Sequence, residues 1–184
     1  MNTSALIILV VVAVVAVLVI VSLLKTRRSR QLKSRFGPEY GRAVQETGNQ
    51  ARAEAKLEKL EKRVHGFKLS PLSPTARIEF VAEWQNVQGR FVDDPKGALT
   101  EADQLIQKMM TVQGYPVTEF EQRAADISVD HPLVVENYRA GREIALRHAQ
   151  GRANTEDMRQ AMIHYRALFN ELSKQPEMAR VAHA

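Results

Sequence analysis

The chain opens on an apolar run that has no polar face. Residues Ala5 to Leu24 read ALIILVVVAVVAVLVIVSLL, with Ser22 as the one polar side chain. At about 1.5 Å of rise per residue, a helix of this length extends roughly 30 Å, the thickness of a bilayer's hydrocarbon core. The Val and Ile content would suit a strand in water. In lipid a helix wins, because it pairs its own N–H and C=O groups. The pattern predicts a transmembrane helix over 5–24, preceded by a short extracytoplasmic N-terminus over 1–4. A cleaved signal peptide fits less well. Met1 to Ser4 carry no side-chain charge, and the run ends in Ser-Leu-Leu-Lys without a small-x-small site. A buried core helix fits poorly, since nothing in the run would face water.

Beyond the run, helical spacing recurs and no stretch alternates long enough to suggest a sheet. From Tyr40 to Val64 the sequence is highly charged, with Ala53, Leu57, Leu60 and Val64 spaced 4, 3 and 4 along one stripe. This predicts a charged stalk helix over 39–65, weakened at Gly48-Asn49 and too short in its seam for a coiled coil. Gly66, Pro71 and Pro74 mark a linker over 66–73. Ser73-Pro74 then starts a helix with Phe80, Trp84, Val87 and Phe91 on one face. Asp94-Pro95 starts the next, with Leu99, Ala102, Ile106, Met109 and Met110 inward and Gly114 as its stop. Thr118 and Glu121 have the spacing of a capping box, ahead of Phe120, Ala124 and Ile127. Asp130 is placed to cap a helix with Pro132 in its first turn and Val135, Tyr138 and Ala145 on one side, closed by Gly151. Asn154 or Thr155 opens the last helix, whose stripe is Met158, Met162, Tyr165, Leu168, Phe169 and Leu172. The expected architecture is all-α: a transmembrane helix, a stalk, and a bundle of four to five short helices over 74–173. The tail over 174–184 is expected to fray.

Charge adds an orientation. Lys25, Arg27, Arg28, Arg30, Lys33 and Arg35 follow the apolar run, and no acidic residue precedes Glu39. This basic juxtamembrane segment, 25–38, is expected on the cytoplasmic side, which puts the N-terminus out and the domain in the cytoplasm. The same six residues are expected to touch anionic headgroups. The chain holds 26 basic and 21 acidic residues. Without those six, 20 basic residues face 21 acidic ones, so the high isoelectric point gives no support for a nucleic-acid partner. There is no cysteine, which excludes disulfides and thiolate metal sites.

The densest group of reactive types is Asp126-Ile-Ser-Val-Asp130-His131-Pro132, with Arg139 on the helix that follows. Asp and His together can serve as a base and its orienter, or as metal ligands. The blander reading weighs more: Asp130 and Ser128 capping the next helix, His131 at its boundary. No Glu-x-x-His, no His-Glu-x-x-His, no P-loop and no GxGxxG is present. No cofactor and no enzyme activity are expected.

Three segments carry a family resemblance: WQNVQGRFVDDP at Trp84–Pro95, GYPVTEFEQRAADISVDHPLVVENYR at Gly114–Arg139, and TEDMRQAMIHYRALFNEL at Thr155–Leu172. They resemble an uncharacterised family of bacterial single-pass membrane proteins. The resemblance implies a bacterial inner-membrane protein and brings no catalytic residues. Some members are labelled secreted, against the orientation read from the charges, and the charges weigh more. The expectation is therefore a membrane-tethered cytoplasmic interaction or scaffold module with an unidentified protein partner. The alternatives are a ligand-binding or enzymatic bundle built on Asp126, Asp130 and His131, and an accessory subunit of a larger membrane complex.

Overall fold

The sequence folds as helices wherever its stripes and caps agree. The structure is a computed structural model that describes the backbone of residues 3–174 and the side chains of residues 11–174. Among the described residues there are eight helices and no strand: α1 (Thr3–Phe36), α2 (Pro38–Thr47), α3 (Gln50–His65), α4 (Pro74–Arg90), α5 (Pro95–Val112), α6 (Phe120–Ser128), α7 (Val135–Ala149) and α8 (Thr155–Ser173). The chain divides into two compact units, Met1–Leu57 and Glu58–Ala184.

In the first unit α1 is one continuous helix. Every position from Val11 to Leu24 is exposed. Among the described residues no helix is long and apolar enough to cross a membrane. The expected span begins at Ala5, and the side chains of residues 5–10 lie outside those described. What remains, Val11 to Leu24, reaches only about 21 Å against a hydrocarbon core of roughly 30 Å. Part of the expected N-terminal flank (1–2) and the expected tail (175–184) also lie outside the described residues.

The foot of α1 is tied to the helices after it. Leu32, Phe36, Ala43, Ala53 and Leu57 are buried. The Tyr40 hydroxyl donates to Glu54 Oε1 at 2.7 Å, and Gln50 Nε2 donates to Ser29 Oγ at 3.1 Å and to Glu54 Oε1 at 2.9 Å. The single stalk helix expected over 39–65 is two helices. Gly48, at φ 63°, returns its N–H to Val44 O and ends α2, a left-handed conformation that glycine adopts without a Cβ penalty. The break thus falls at the Gly48-Asn49 pair.

In the second unit the predicted start signals are seen at three helices. Ser73 Oγ accepts from Ala76 N at 3.1 Å, and Asp94 Oδ1 accepts from Gly97 N at 2.9 Å. Asn154 and Asp157 exchange side-chain and backbone bonds in a full capping box. Two expected starts are different. Thr118 and Glu121 do not cap α6, which begins behind Glu119 without a side-chain cap. Glu121 is drawn instead to Arg139 at 2.5 Å, and the Thr118 carbonyl is taken by Arg123 Nη1 at 2.9 Å. Asp130 does not cap α7 either. Its Oδ2 accepts from the Tyr115 hydroxyl at 3.1 Å, and α7 starts only at Val135, past a turn that contains Pro132.

The second unit's core is one cluster drawn from α4 to α8. The most extensive packing is α7 on α8, then α5 on α8 and α4 on α5, with α6 against α7. Trp84 of α4 stacks on Phe169 of α8 with ring centroids 4.8 Å apart. Gly141 sets the close approach of α7 to α8: a Cβ there would lie 3.4 Å from Tyr165 Cε2 and 3.5 Å from Ala161 O.

Candidate functional site

The four residues singled out around the Asp126–His131 turn are each engaged by a different partner. Asp126 is 1 % exposed, and its Oδ1 accepts from Arg63 Nε at 3.0 Å and Gln122 Nε2 at 2.7 Å. Asp130 is held by Tyr115, as above. His131 Nδ1 lies 3.4 Å from Glu171 Oε1. Arg139 pairs with Glu121. Ser128 donates back to Ala125 O at 2.7 Å rather than to the next helix. These are contacts that fasten helix to helix. Asp126 in particular anchors the end of α3, whose Arg63 also lies over the Phe67 ring at 5.4 Å. Among the described residues no group of three or more His, Asp or Glu is arranged to hold a metal ion.

A different polar cluster, partly buried, links α5, α6 and α7. Arg123 (9 % exposed) donates from Nε to the Tyr138 hydroxyl at 2.8 Å and from Nη1 to Gln107 Oε1 at 3.2 Å. Gln107 Nε2 in turn donates to Asp103 Oδ2 at 2.6 Å. The cation and the carboxylate are thus joined through an amide, with the Tyr138 phenol accepting from the cation. Asp103 Oδ1 and the Tyr165 hydroxyl are buried without a hydrogen-bond partner. Burial pushes the Tyr138 and Tyr165 phenols up, and the nearby Asp103 charge pushes them further. Arg123 and Arg142 both lie within 6 Å of the Phe120 ring, at 5.9 and 5.5 Å.

Such a network is costly when half broken. We expect Arg123→Met to destabilise the protein by about 3–5 kcal/mol, because Asp103 would stay buried without its cation. Adding Asp103→Leu should recover part of that loss. Equilibrium denaturation followed by helical circular dichroism checks both. Equal loss in the single and double variants would show that the two charges are not coupled.

The signal for this cluster lies in the sequence. Asp103 sits between Leu99, Ile106 and Met110 at spacings of 4, 3 and 4, and Arg123 stands three after Phe120 and four before Ile127. Both are charges on inward stripes.

Two shallow grooves border α4. One, about 310 Å³, runs between α4 and α5 and is crossed by the pairs Arg90–Glu101 and Lys108–Glu83. The other, about 240 Å³, lies between Phe91 and the Arg159, Met162 and Arg166 side chains of α8. In the first unit Lys25, Arg27, Arg28, Arg30 and Lys33 are exposed and Arg35 is half-buried. Lys33 Nζ stands 5.3 Å from the Tyr40 ring centroid. The chain matches no protein-family model, no curated protein and no solved structure.

Proposed function

We propose that the chain is a membrane-tethered helical interaction module of the bacterial inner membrane. In this reading the apolar run of α1 lies in the bilayer, the six basic residues meet anionic headgroups, and the helical domain works in the cytoplasm. The observation that carries it is the surface of α1. Eleven large Val, Leu and Ile side chains between Val11 and Leu24 are exposed on every side of one helix. Leaving them in water would cost on the order of 10 kcal/mol relative to an apolar surrounding. The sequence continues the same character back to Ala5. Lys25, Arg27, Arg28 and Arg30 come within two turns of the run's end, where anionic lipid contributes about 1 kcal/mol for each, and Lys33 and Arg35 follow farther along the same helix, where the field is weaker. The resemblance to single-pass bacterial membrane proteins points the same way.

The domain supports binding rather than chemistry, because its polar side chains fasten its own helices. Confinement to the bilayer raises a module's effective concentration towards its neighbours. Replacing Lys25, Arg27, Arg28, Arg30, Lys33 and Arg35 by Gln should weaken or invert the orientation. A C-terminal reporter that works only in the cytoplasm would then lose most of its signal. An unchanged signal would overturn the cytoplasmic placement.

A further inference from the structure

The segment that carries the chain from α3 into α4 lies on the second unit as a strap. The part of α3 in that unit, 58–65, packs extensively along none of α4 to α8. The chain over 66–73 that follows has no regular structure, and Lys68, Ser70 and Pro71 are exposed. A backbone bond joins it to the end of α5, from Ser70 N–H to Gln113 O at 2.9 Å. Gly114, at φ 98°, gives the strap room to pass, since a Cβ there would lie 2.5 Å from Lys68 O. Leu72 is buried where the strap meets α4.

The strap is caught at both ends of the Asp126–Asp130 turn. Arg63 donates to Asp126 twice, from Nε to Oδ1 at 3.0 Å and from Nη2 to Oδ2 at 3.4 Å. The same guanidinium lies over the Phe67 ring, and Phe67 meets the Tyr115 ring edge-on with centroids 6.4 Å apart. The Tyr115 hydroxyl then donates to Asp130. One arginine and two rings thus run from the first carboxylate of the turn to the second. The Asp126 side chain is 1 % exposed and that of Arg63 42 %. Water already reaches the half of the pair that would move.

We infer that residues 63–72 form a latch, with the Asp126–Asp130 turn as its catch, which opens as one piece while α4 to α8 stay folded. The core of the unit comes from α4 to α8, and the strap adds to it Leu72 and the half-buried Phe67. A segment with few buried apolar contacts and exposed backbone belongs to the low-stability end of a fold. This gives Asp126 and Asp130 a role that neither chemistry nor capping gave them. The chain from α1 enters the bundle through this segment. In the tethered reading, a load on the membrane helix therefore reaches the latch before the core. The latch itself does not require that reading.

Amide hydrogen exchange on the full chain in detergent micelles separates latch opening from global unfolding, with each rate divided by its intrinsic value. The Ser70 amide should exchange at least about tenfold faster than the Leu168 and Phe169 amides of α8. Arg63→Gln should speed Ser70 at least about tenfold, since two bonds to a charged carboxylate are lost. Ile144→Val, in the buried core, should speed the α8 amides about threefold and leave Ser70 at its native rate, because contacts within α4 to α8 survive latch opening. Phe67→Leu replaces Arg63→Gln if that variant fails to fold, and should speed Ser70 about threefold through loss of the ring contact. Exchange of Ser70 and α8 at one rate, equal response of both to Ile144→Val, or indifference of Ser70 to the Arg63 or Phe67 change would each overturn the latch. None of these rates depends on α1 entering a bilayer, so sedimentation with membranes tests the tether apart from them.

Discussion

Arginine at Val14 and Leu18 should move the protein out of the carbonate-resistant membrane fraction. The two positions are one turn apart near the middle of the run from Ala5 to Leu24. At the centre of a membrane helix each arginine costs about 2.5–3.5 kcal/mol. Together they oppose insertion by about 5–7 kcal/mol, a factor on the order of ten thousand. Snorkelling shortens this cost near the ends of a span but least at its centre. Both side chains are exposed, at 53 % and 63 %, and so carry no packing of the first unit. The variant therefore separates insertion from folding, and the foot of α1 at Leu32 and Phe36, with Tyr40 of α2 beside it in sequence, is left untouched. Alkaline carbonate extraction of membranes reads the outcome. Full retention of the double variant would remove α1 from consideration as the tether.

The placement of helices was legible to the extent that each was specified locally. α8 is the clearest case: Met158, Met162, Tyr165, Leu168, Phe169 and Leu172 are all buried, and Asn154 supplies the cap. Ser73 and Asp94 act on backbone groups three residues away, so one short segment contains the whole interaction. The misplaced caps show the limit. Thr118, Glu121 and Asp130 have the residue types and spacing that capping needs. Side chains elsewhere hold two of them, Arg139 for Glu121 and Tyr115 for Asp130, while the Thr118 hydroxyl is buried without a partner and only its carbonyl is met, by Arg123. For Glu121 the ion pair with Arg139 competes with the cap, and no local spacing announces it.

Long-range partners decide the candidate sites as well. By spacing Asp126 is a candidate reactive carboxylate near His131, yet its cation comes from Arg63, 63 residues earlier. No spacing rule reaches that far in a single sequence. Asp103 and Arg123 were legible in principle, because a charge on an inward stripe must find a buried partner or pay for its absence. Reading stripes only for their apolar members passes over them.

Strong alkali should unfold the bundle in one cooperative step. Tyr115, Tyr138 and Tyr165 are 5 %, 0 % and 0 % exposed, and burial pushes each phenol above its ordinary value. Asp130 adds to this for Tyr115, and Asp103 for the other two. In the unfolded chain a tyrosine loses its proton near pH 10. Below that pH both states hold the proton and the stabilisation is complete. Above it the unfolded chain releases protons that the folded one retains, so stability falls as pH rises. Each phenol contributes at most about 1.4 kcal/mol per pH unit, and the three together about 4. A domain stable by roughly 5–15 kcal/mol would be exhausted within a few units. Tyrosinate absorbance and helical circular dichroism, titrated together, should show these phenols ionising as the helix signal is lost. Ionisation of all three with the helices intact would contradict their burial. Tyr165→Phe gives the internal check. Its hydroxyl is buried without a partner, so the variant should be neutral or more stable at pH 7. Above pH 10 its stability should fall about one third less steeply, since two buried phenols then remain.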